Sequence, residues 1–158
     1  MRVKKNHILA VLAFALAAAC ALSIYTPVRF GKELAKREQA VKERLVKIRF
    51  AEEKYRKAHG AYTDDFNTLV KDGYLADSLQ YIPFTDGKKF QITVSTQISK
   101  SGKHIPLMEC YAGYDNYLSG LDAGSIANLT EEANNAGRYP GLKIGDITTP
   151  NDNAGNWE

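Results

Sequence analysis

The amino-acid sequence predicts an α+β fold, in which an N-terminal transmembrane helix continues into a long stalk helix that packs on a small antiparallel sheet. Three features predict it: an uncharged apolar run over residues 8–25, an apolar stripe of helical spacing over residues 34–58 and a strictly alternating segment over residues 89–98. A chain of 158 residues suits one domain of ordinary size. We therefore predict a basic flank (1–7), a membrane signal-anchor (8–25), an amphipathic basic stalk helix (28–59) and a small globular domain (60–158).

Charge is distributed unevenly along the chain, although the formal net charge is only +3. Residues 1–57 carry 14 Lys and Arg against 5 Asp and Glu, whereas residues 58–158 carry 7 against 13. The basic stretch lacks interleaved aromatic residues and adjoins a membrane segment, so nucleic acid is not a predicted partner. The 2 Cys residues exclude a disulfide-rich scaffold.

Residues 8–25 are predicted to cross the inner (cytoplasmic) membrane once, as a helix. Eighteen helical residues extend about 27 Å, which matches the hydrocarbon core of a bilayer. Basic residues at positions 2, 4 and 5 are typical of an export signal, so we expect the N-terminus in the cytoplasm and the domain in the periplasm. Membrane lipids are therefore a predicted partner. The span is defined by Ile8, Leu9, Leu12, Phe14, Leu16, Leu22, Ile24 and Tyr25.

Two alternatives to this anchor and this orientation remain open. Basic residues also follow the span, at positions 29, 32, 36 and 37, and their number favours a cytoplasmic domain. Cys20 follows three alanines, as the lipid-bearing cysteine of a lipoprotein does, so a lipidated ligand-binding domain is the alternative function. The residues after Cys20 stay apolar, which favours the anchor. Pro27 is predicted to mark the exit of the membrane helix.

The stalk helix is predicted to carry one apolar stripe, with charges on its remaining faces. Glu38 and Glu52 interrupt the second apolar register that a coiled coil needs, so we expect the stripe to pack on the chain's own domain. The basic faces are expected to lie in solvent and to attract anionic lipid. The stripe is formed by Leu34, Val41, Leu45, Ile48 and Tyr55.

The domain is predicted to begin at Gly60, which suits the left-handed C-cap of the stalk helix. A short helix follows over 66–71, with Thr63 or Asp64 as its N-cap. Residues 89–98 form the first strand and residues 105–112 return as its antiparallel partner. A helix over 125–136, a short strand over 142–144 and a tail docked through Trp157 complete the domain.

Motifs for catalysis are missing from the sequence, so we predict no enzyme, and the sequence identifies no small-molecule substrate. His59 with Asp64 and Asp65, and His104 with Cys110, are pairs with acid–base or thiol chemistry, and a structural role is expected for each. No cofactor is predicted, with calcium as a weak alternative. Its oxygen ligands would come from Asp146, Asn151, Asp152 and Asn153. An aromatic surface for the alternative ligand-binding function would come from Tyr111, Tyr114 and Tyr117.

Residues 51–63 (AEEKYRKAHGAYT) and 73–75 (GYL) resemble the type II secretion pseudopilins and the type IV pilins. The resemblance implies a hydrophobic N-terminal helix that continues as a stalk onto a small antiparallel sheet. It also implies a structural role, with envelope proteins or further copies of the chain as partners. The prepilin peptidase motif is missing, and the first acidic residue is Glu33. The matching positions are Tyr55, Gly60, Tyr62, Thr63, Phe66 and Leu69.

Residues 27–30 (PVRF), 81–84 (YIPF) and 153–158 (NAGNWE), the last containing Trp157, resemble a group of uncharacterised single-span envelope proteins of Bacteroidota. No activity belongs to that group, so the likeness implies a fold and a location. The sequence as a whole therefore predicts a membrane-anchored, non-enzymatic, pilin-like structural or assembly module of the bacterial cell envelope.

Overall fold

The structure is a computed structural model that describes the backbone of residues 5–158, and their side chains except at residues 5, 6, 21, 22 and 24–26. It is an α+β protein with one long helix and a small antiparallel sheet, as predicted. The helices are α1 (Lys5–His59), α2 (Phe66–Lys71), α3 (Tyr114–Tyr117) and α4 (Ala123–Asn135), with a 3₁₀ turn at Asp77–Gln80. The strands are β1 (Gln91–Ile98), β2 (His104–Gly113) and β3 (Gly141–Gly145).

The chain divides into two compact units, residues 1–35 and residues 36–158. In the first unit, large apolar side chains of α1 are exposed, including Phe14 at 79%. Among the described residues, no helix is both long enough and apolar enough to cross a membrane. Three residues of the predicted span, Leu22, Ile24 and Tyr25, lie outside the described side chains, and positions 2 and 4 of the basic flank lie outside the described residues.

α1 does not end at Pro27, so the residues of the apolar run and of the stalk belong to one continuous helix. α1 contains Pro27 and continues to His59. A proline within a helix removes one backbone hydrogen bond. The residues next to Pro27 are weak helix formers, but the longer stretches on either side are rich in Ala, Leu, Lys and Glu, which are strong ones, so the helix persists on both sides of this position.

The core of the second unit combines the stripe of α1 with the sheet. Val41, Leu45 and Ile48 are fully buried, as predicted, and so are Cys110 of β2 and Ile144 of β3, which pair with each other. Tyr55 is half-buried and stacks on His59, with ring centroids 4.1 Å apart. Leu34, the remaining stripe residue, is half-buried and belongs to the first unit.

The sheet has the strand order β1-β2-β3, with both pairs antiparallel. β2 is the central strand, although the ladder to β3 covers only its second half, Glu109 to Gly113. Pro106 therefore lies where β2 pairs with β1 alone, at Thr96. This arrangement suits a residue that has no backbone N–H.

The segment that joins α1 to α2 is fixed by backbone caps. Gly60 has a left-handed φ of +81°, and its N–H donates to the carbonyl of Arg56 over 2.7 Å, as expected for a C-cap glycine. The N-cap of α2 is Asp65, and not Thr63 or Asp64 as predicted. Asp65 lies directly before the first helical residue, from where its carboxylate accepts from the N–H groups of Asn67 and Thr68.

The C-terminal tail covers the outer edge of β3. The N–H of Gly145 donates to the carbonyl of Ala154, and the N–H of Asn156 donates to the carbonyl of Lys143, each over 3.0 Å. Trp157 stands close to Gly155, where an added Cβ would lie 2.6 Å from an indole carbon. The predicted docking of the tail is confirmed, and β3 is protected from pairing with another chain.

Candidate functional site

The arginines of α1 in the second unit bind the domain rather than solvent. The guanidinium of Arg37 donates to the carbonyls of Tyr117 and Ser119, each over 2.9 Å, and lies 5.0 Å from the ring centroid of Phe84. Tyr117 and Ser119 are at the end of α3 and just beyond it, where helical carbonyls have no partner within the helix. Arg37 therefore donates hydrogen bonds to carbonyls that have no partner within α3.

Two further arginines act in the same way. Arg44 donates to the carbonyls of Ser78 and Tyr81. Arg49 donates to the carbonyl of Asn153 over 3.2 Å and forms an ion pair of 3.0 Å with Glu158. The expectation that the basic faces of the stalk all lie in solvent is thus wrong for Arg37, Arg44 and Arg49. The basic side chains of α1 that remain exposed in this unit are Lys36, Lys47, Lys54 and Lys57.

A buried carboxyl group lies beside this interface. Glu52 has no exposed surface, and its Oε2 accepts from the N–H of Thr63 over 3.1 Å. Within the part of the chain that the structure describes, no group donates to Oε1. Burial raises the pKa of Glu52 to about 7. The hydrogen bond from Thr63 lowers this pKa, and the charge of Asp64 raises it by a smaller amount.

The thiol of Cys110 belongs to the same buried region. Its burial raises its pKa well above the ordinary value, and the charge of Glu52 raises it further. A thiol in this state is protonated at neutral pH and is a poor nucleophile. Cys110 is thus placed as a core side chain.

The segment that carries the pilin-like motif joins the end of α1 to the C-terminal tail. Tyr62 is buried, and its hydroxyl accepts from the side-chain amide of Asn153 over 2.7 Å. The guanidinium of Arg56 lies 5.1 Å from the Tyr62 ring centroid. Phe66 and Leu69 of α2 are also buried. These motif residues hold elements together, which is a structural role.

The residue pairs considered for catalysis are not brought together. His104 begins β2 and is exposed, whereas Cys110 is fully buried six residues farther along the same strand, about 20 Å away. His59 stacks on Tyr55, and its Nδ1 lies 3.1 Å from the Tyr55 carbonyl. Asp65 is used as a helix cap. His59 and Asp65 therefore have structural contacts of their own.

The residues considered for calcium have other contacts. Asp146 Oδ1 accepts from the N–H groups of Thr148 and Thr149, while Oδ2 lies 3.6 Å from the ammonium of Lys143. Among residues with described side chains, no group of three or more His, Cys, Asp or Glu is placed to hold a metal ion. The calcium alternative gains no support from this geometry.

The predicted tyrosine surface is not one surface. Tyr117 is fully buried, whereas Tyr111 and Tyr114 are half-buried. Tyr111 makes an edge-on contact with Tyr139, with ring centroids 5.2 Å apart, and Tyr114 packs on Tyr117 at 5.9 Å. Tyr111 and Tyr114 also line two different cavities, and Tyr139 lines both of them.

The larger of these two cavities is a cleft of about 400 Å³, which we call the Trp157 cleft. It is formed by α1, the start of α3, the end of α4, the segment before β3, β3 itself and the C-terminal tail. Its volume falls within the range of small-molecule sites. The aromatic and charged side chains that line it are Glu38, Lys42, Tyr114, Arg138, Tyr139, Lys143 and Trp157.

Sequence reasoning missed Glu52 and most of this cleft. Glu52 follows the buried Ile48 by four residues, so its helical spacing was the available signal. Lys42, Arg138 and Tyr139 carry no such signal, because only the fold brings them to Trp157.

Comparison of the chain with protein-family models, with curated proteins and with solved structures finds no match. The resemblance to pilins, pseudopilins and the Bacteroidota group stays a prediction from the sequence.

Proposed function

We propose that this protein is a membrane-anchored, non-enzymatic module of the bacterial cell envelope, which holds its α+β domain in the periplasm for assembly with other protein chains. The observation that carries the proposal is the contrast along α1. Between residues 8 and 16 its large apolar side chains are exposed, whereas Val41, Leu45 and Ile48 are completely buried in the domain. A lipid bilayer would cover the exposed apolar side chains.

Membrane extraction tests the anchor directly. The expected result is that the full chain stays with membranes after alkaline carbonate treatment. Replacing Leu12→Arg places a charge in the middle of the apolar run, which costs about 3 kcal/mol at the centre of a bilayer. We expect this variant to be released, whereas Val28→Arg, beyond the run, should stay bound. Complete carbonate release of the unaltered chain would contradict the anchor.

Protease accessibility in intact spheroplasts tests the orientation. A periplasmic domain is degraded by added protease without lysis of the cells, whereas a cytoplasmic domain is protected until lysis. Basic residues flank the apolar run on both sides. Those before the run favour a periplasmic domain and those after it favour a cytoplasmic one, and the protease result decides between them.

The outer edge of β1 is the surface that we propose for assembly, with a second copy of the chain as its occupant. The strand sequence QITVSTQI contains no charge, proline or glycine, which are the features that usually protect an edge strand. Ile92 and Val94 are only half-buried along this edge, and Ile98 is 65% exposed. Two β1 strands paired antiparallel about a two-fold axis would satisfy both backbones and extend both apolar rows.

A charge at the centre of β1 tests this pairing. Ser95→Lys would place like charges close together across the two-fold axis, so we expect fewer dimers in membrane crosslinking and in light scattering of the detergent-solubilised chain. Ser101→Lys, in the exposed hairpin loop, is the matched control and should leave dimers unchanged. An unaltered chain that is monomeric in both measurements would overturn the pairing.

The second candidate function is an anchored or lipidated ligand-binding domain, and the Trp157 cleft is the observation that favours it. Mass spectrometry of the mature chain tests the lipidated form. An unmodified Cys20 in a chain that retains its N-terminus would exclude lipidation.

A further inference from the structure

The Trp157 cleft combines flat aromatic surfaces with basic side chains. Its charged lining consists of the basic Lys42, Arg138 and Lys143 and the acidic Glu38, and each of the three cations has an acidic partner within 4.0 Å. Trp157, Tyr114 and Tyr139 are half-buried, so each presents part of its ring to the cleft. A ligand that fits this lining has an apolar face and a negative charge.

The cations of the cleft differ in how firmly they are held. Lys143 lies 3.3 Å from Glu109 and 3.6 Å from Asp146, within strand contacts that fix it. Arg138 has only a 4.0 Å pair with Glu132, and its side chain is 66% exposed. An exposed pair of this length contributes little, so Arg138 can turn to a ligand at small cost. Lys42 pairs with Glu38 at 3.7 Å and lies 5.8 Å from the Trp157 ring centroid.

Neutral polar groups complete the lining. Burial raises the pKa of Tyr114 and of Tyr139, so both hydroxyls remain protonated at neutral pH and can donate hydrogen bonds. The hydroxyl of the fully buried Tyr117 has no hydrogen-bond partner among the described residues. Burial raises the pKa of Tyr117, and the charge of Glu38 raises it further. The ring of Tyr117 packs on that of Tyr114, which lines the cleft.

The end of α4 narrows the chemistry of the ligand. Ala133 and Gly137, from the last turn of α4 and just beyond it, also line the cleft. The carbonyl end of a helix is its negative end and accepts hydrogen bonds. The carbonyls of Glu132, Ala133 and Asn134 already accept from backbone N–H groups, so this end of α4 acts on a ligand mainly through its partial negative charge, which disfavours several phosphates more than a single carboxylate.

We propose that the Trp157 cleft binds an acidic sugar, with the pyranose ring against Trp157 and Tyr139 and its carboxylate met by Lys42 and Arg138. Hydroxyl groups of the sugar would pair with the tyrosine hydroxyls and with the second N–H of the Asn156 amide, whose first N–H donates to the Gly141 carbonyl. The sugar can be a free monosaccharide or one unit of a glycan. This inference stands apart from the anchor and from assembly through β1, so its failure would leave both untouched.

The fluorescence of Trp157 tests the proposal, because this is the single Trp of the chain. The purified full chain in detergent is titrated with galacturonic acid, with oligogalacturonate and with galactose as the neutral match. We expect a saturable change with the two acids, and affinity for galactose about tenfold weaker or less, since the carboxylate contacts are lost. Tighter binding of the oligomer than of the monomer would identify a glycan as the source.

Two variants and a control locate the binding. Arg138→Gln and Lys42→Gln should each weaken binding of galacturonic acid about tenfold and reduce the preference over galactose. Lys54→Gln, an exposed cation of α1 outside the cleft, should bind as the unaltered chain does. Circular dichroism of each variant checks the fold. No saturable change with either acid, or equal affinity for galactose and galacturonic acid, would overturn the proposal.

Discussion

The buried carboxylate of Glu52 accepts a hydrogen bond from the backbone N–H of Thr63 over 3.1 Å, which ties α1 to the segment that follows it. Its other oxygen receives no hydrogen bond from the described residues. The groups that act on it electrostatically come from two other elements, Asp64 in the segment before α2 and Cys110 in β2. Neither supplies a positive charge, so ionisation of Glu52 works against the packing of α1 on the sheet.

The stability of the domain is therefore expected to fall as pH rises through the pKa of Glu52. That pKa is raised from 4.5 to about 7 by folding, so the folded chain binds the proton more tightly than the unfolded chain between these values. Stability from this group is fully present below about pH 4.5 and is lost by about pH 8, by roughly 3 kcal/mol. Chemical unfolding at several pH values, followed by Trp157 fluorescence, measures the loss.

Replacing Glu52→Gln should remove most of this pH dependence. The amide keeps the shape of the carboxylic acid and has an oxygen that can accept from Thr63, but it cannot ionise. We expect the variant to match the unaltered chain near pH 4.5 and to be more stable at pH 8. Glu43→Gln, an exposed position of the same helix, is the control. An unchanged pH profile for Glu52→Gln would show that another group titrates.

Replacing Arg37→Gln is expected to destabilise the domain by about 2 kcal/mol, since hydrogen bonds from a charged donor to two backbone carbonyls are lost. Lys47→Gln removes an equal charge from an exposed position of α1 and should change stability by less than about 0.5 kcal/mol. Urea unfolding of both variants gives the comparison. Equal losses of stability in the two variants would mean that Arg37 stabilises the domain only through its charge.

Regular periodicity made much of this fold predictable. Strand β1 and the buried positions Val41, Leu45 and Ile48 were identified because the apolar residues of each segment have one regular period, although Ile92 and Val94 are only half-buried and Ile98 is exposed. The same reasoning treated Glu52 only as an interruption of the second apolar register of a coiled coil, although its spacing from Ile48 is helical. Burial of a carboxyl depends on partners such as Thr63, which come from a later part of the chain.

Details decided by local geometry or by distant contacts were not predictable. Thr63, Asp64 and Asp65 are all good capping residues, and only the first turn of α2 selects Asp65. Arg37 and its exposed neighbour Lys36 have the same charge. They differ because Arg37 donates to the carbonyl of Tyr117, which lies 80 positions farther along the chain and is brought near only by the fold. The Trp157 cleft joins six segments that have no shared sequence pattern.

Cys110 is expected to resist thiol reagents in the folded chain. It is fully buried, and burial raises its pKa, so neither access nor ionisation favours reaction. In a Cys20→Ser background, which leaves Cys110 as the single thiol, a thiol-specific reagent at pH 8 should label it only when denaturant is added. Rapid labelling without denaturant would show that the interface between α1 and the sheet opens readily.

Replacing Gly145→Ala is expected to destabilise the domain far more than Gly102→Ala, although both glycines have left-handed backbone conformations, with φ of +72° and +80°. The conformation alone costs about 1 kcal/mol for alanine at either position. At Gly145 the new methyl group would also collide with the carbonyl oxygen of Met108 in β2, whereas at Gly102 it would meet open space. A collision with a backbone atom of the central strand adds about 1–3 kcal/mol. Thermal unfolding of both variants measures the difference, and equal melting temperatures would contradict the close approach of β3 to β2 at this point.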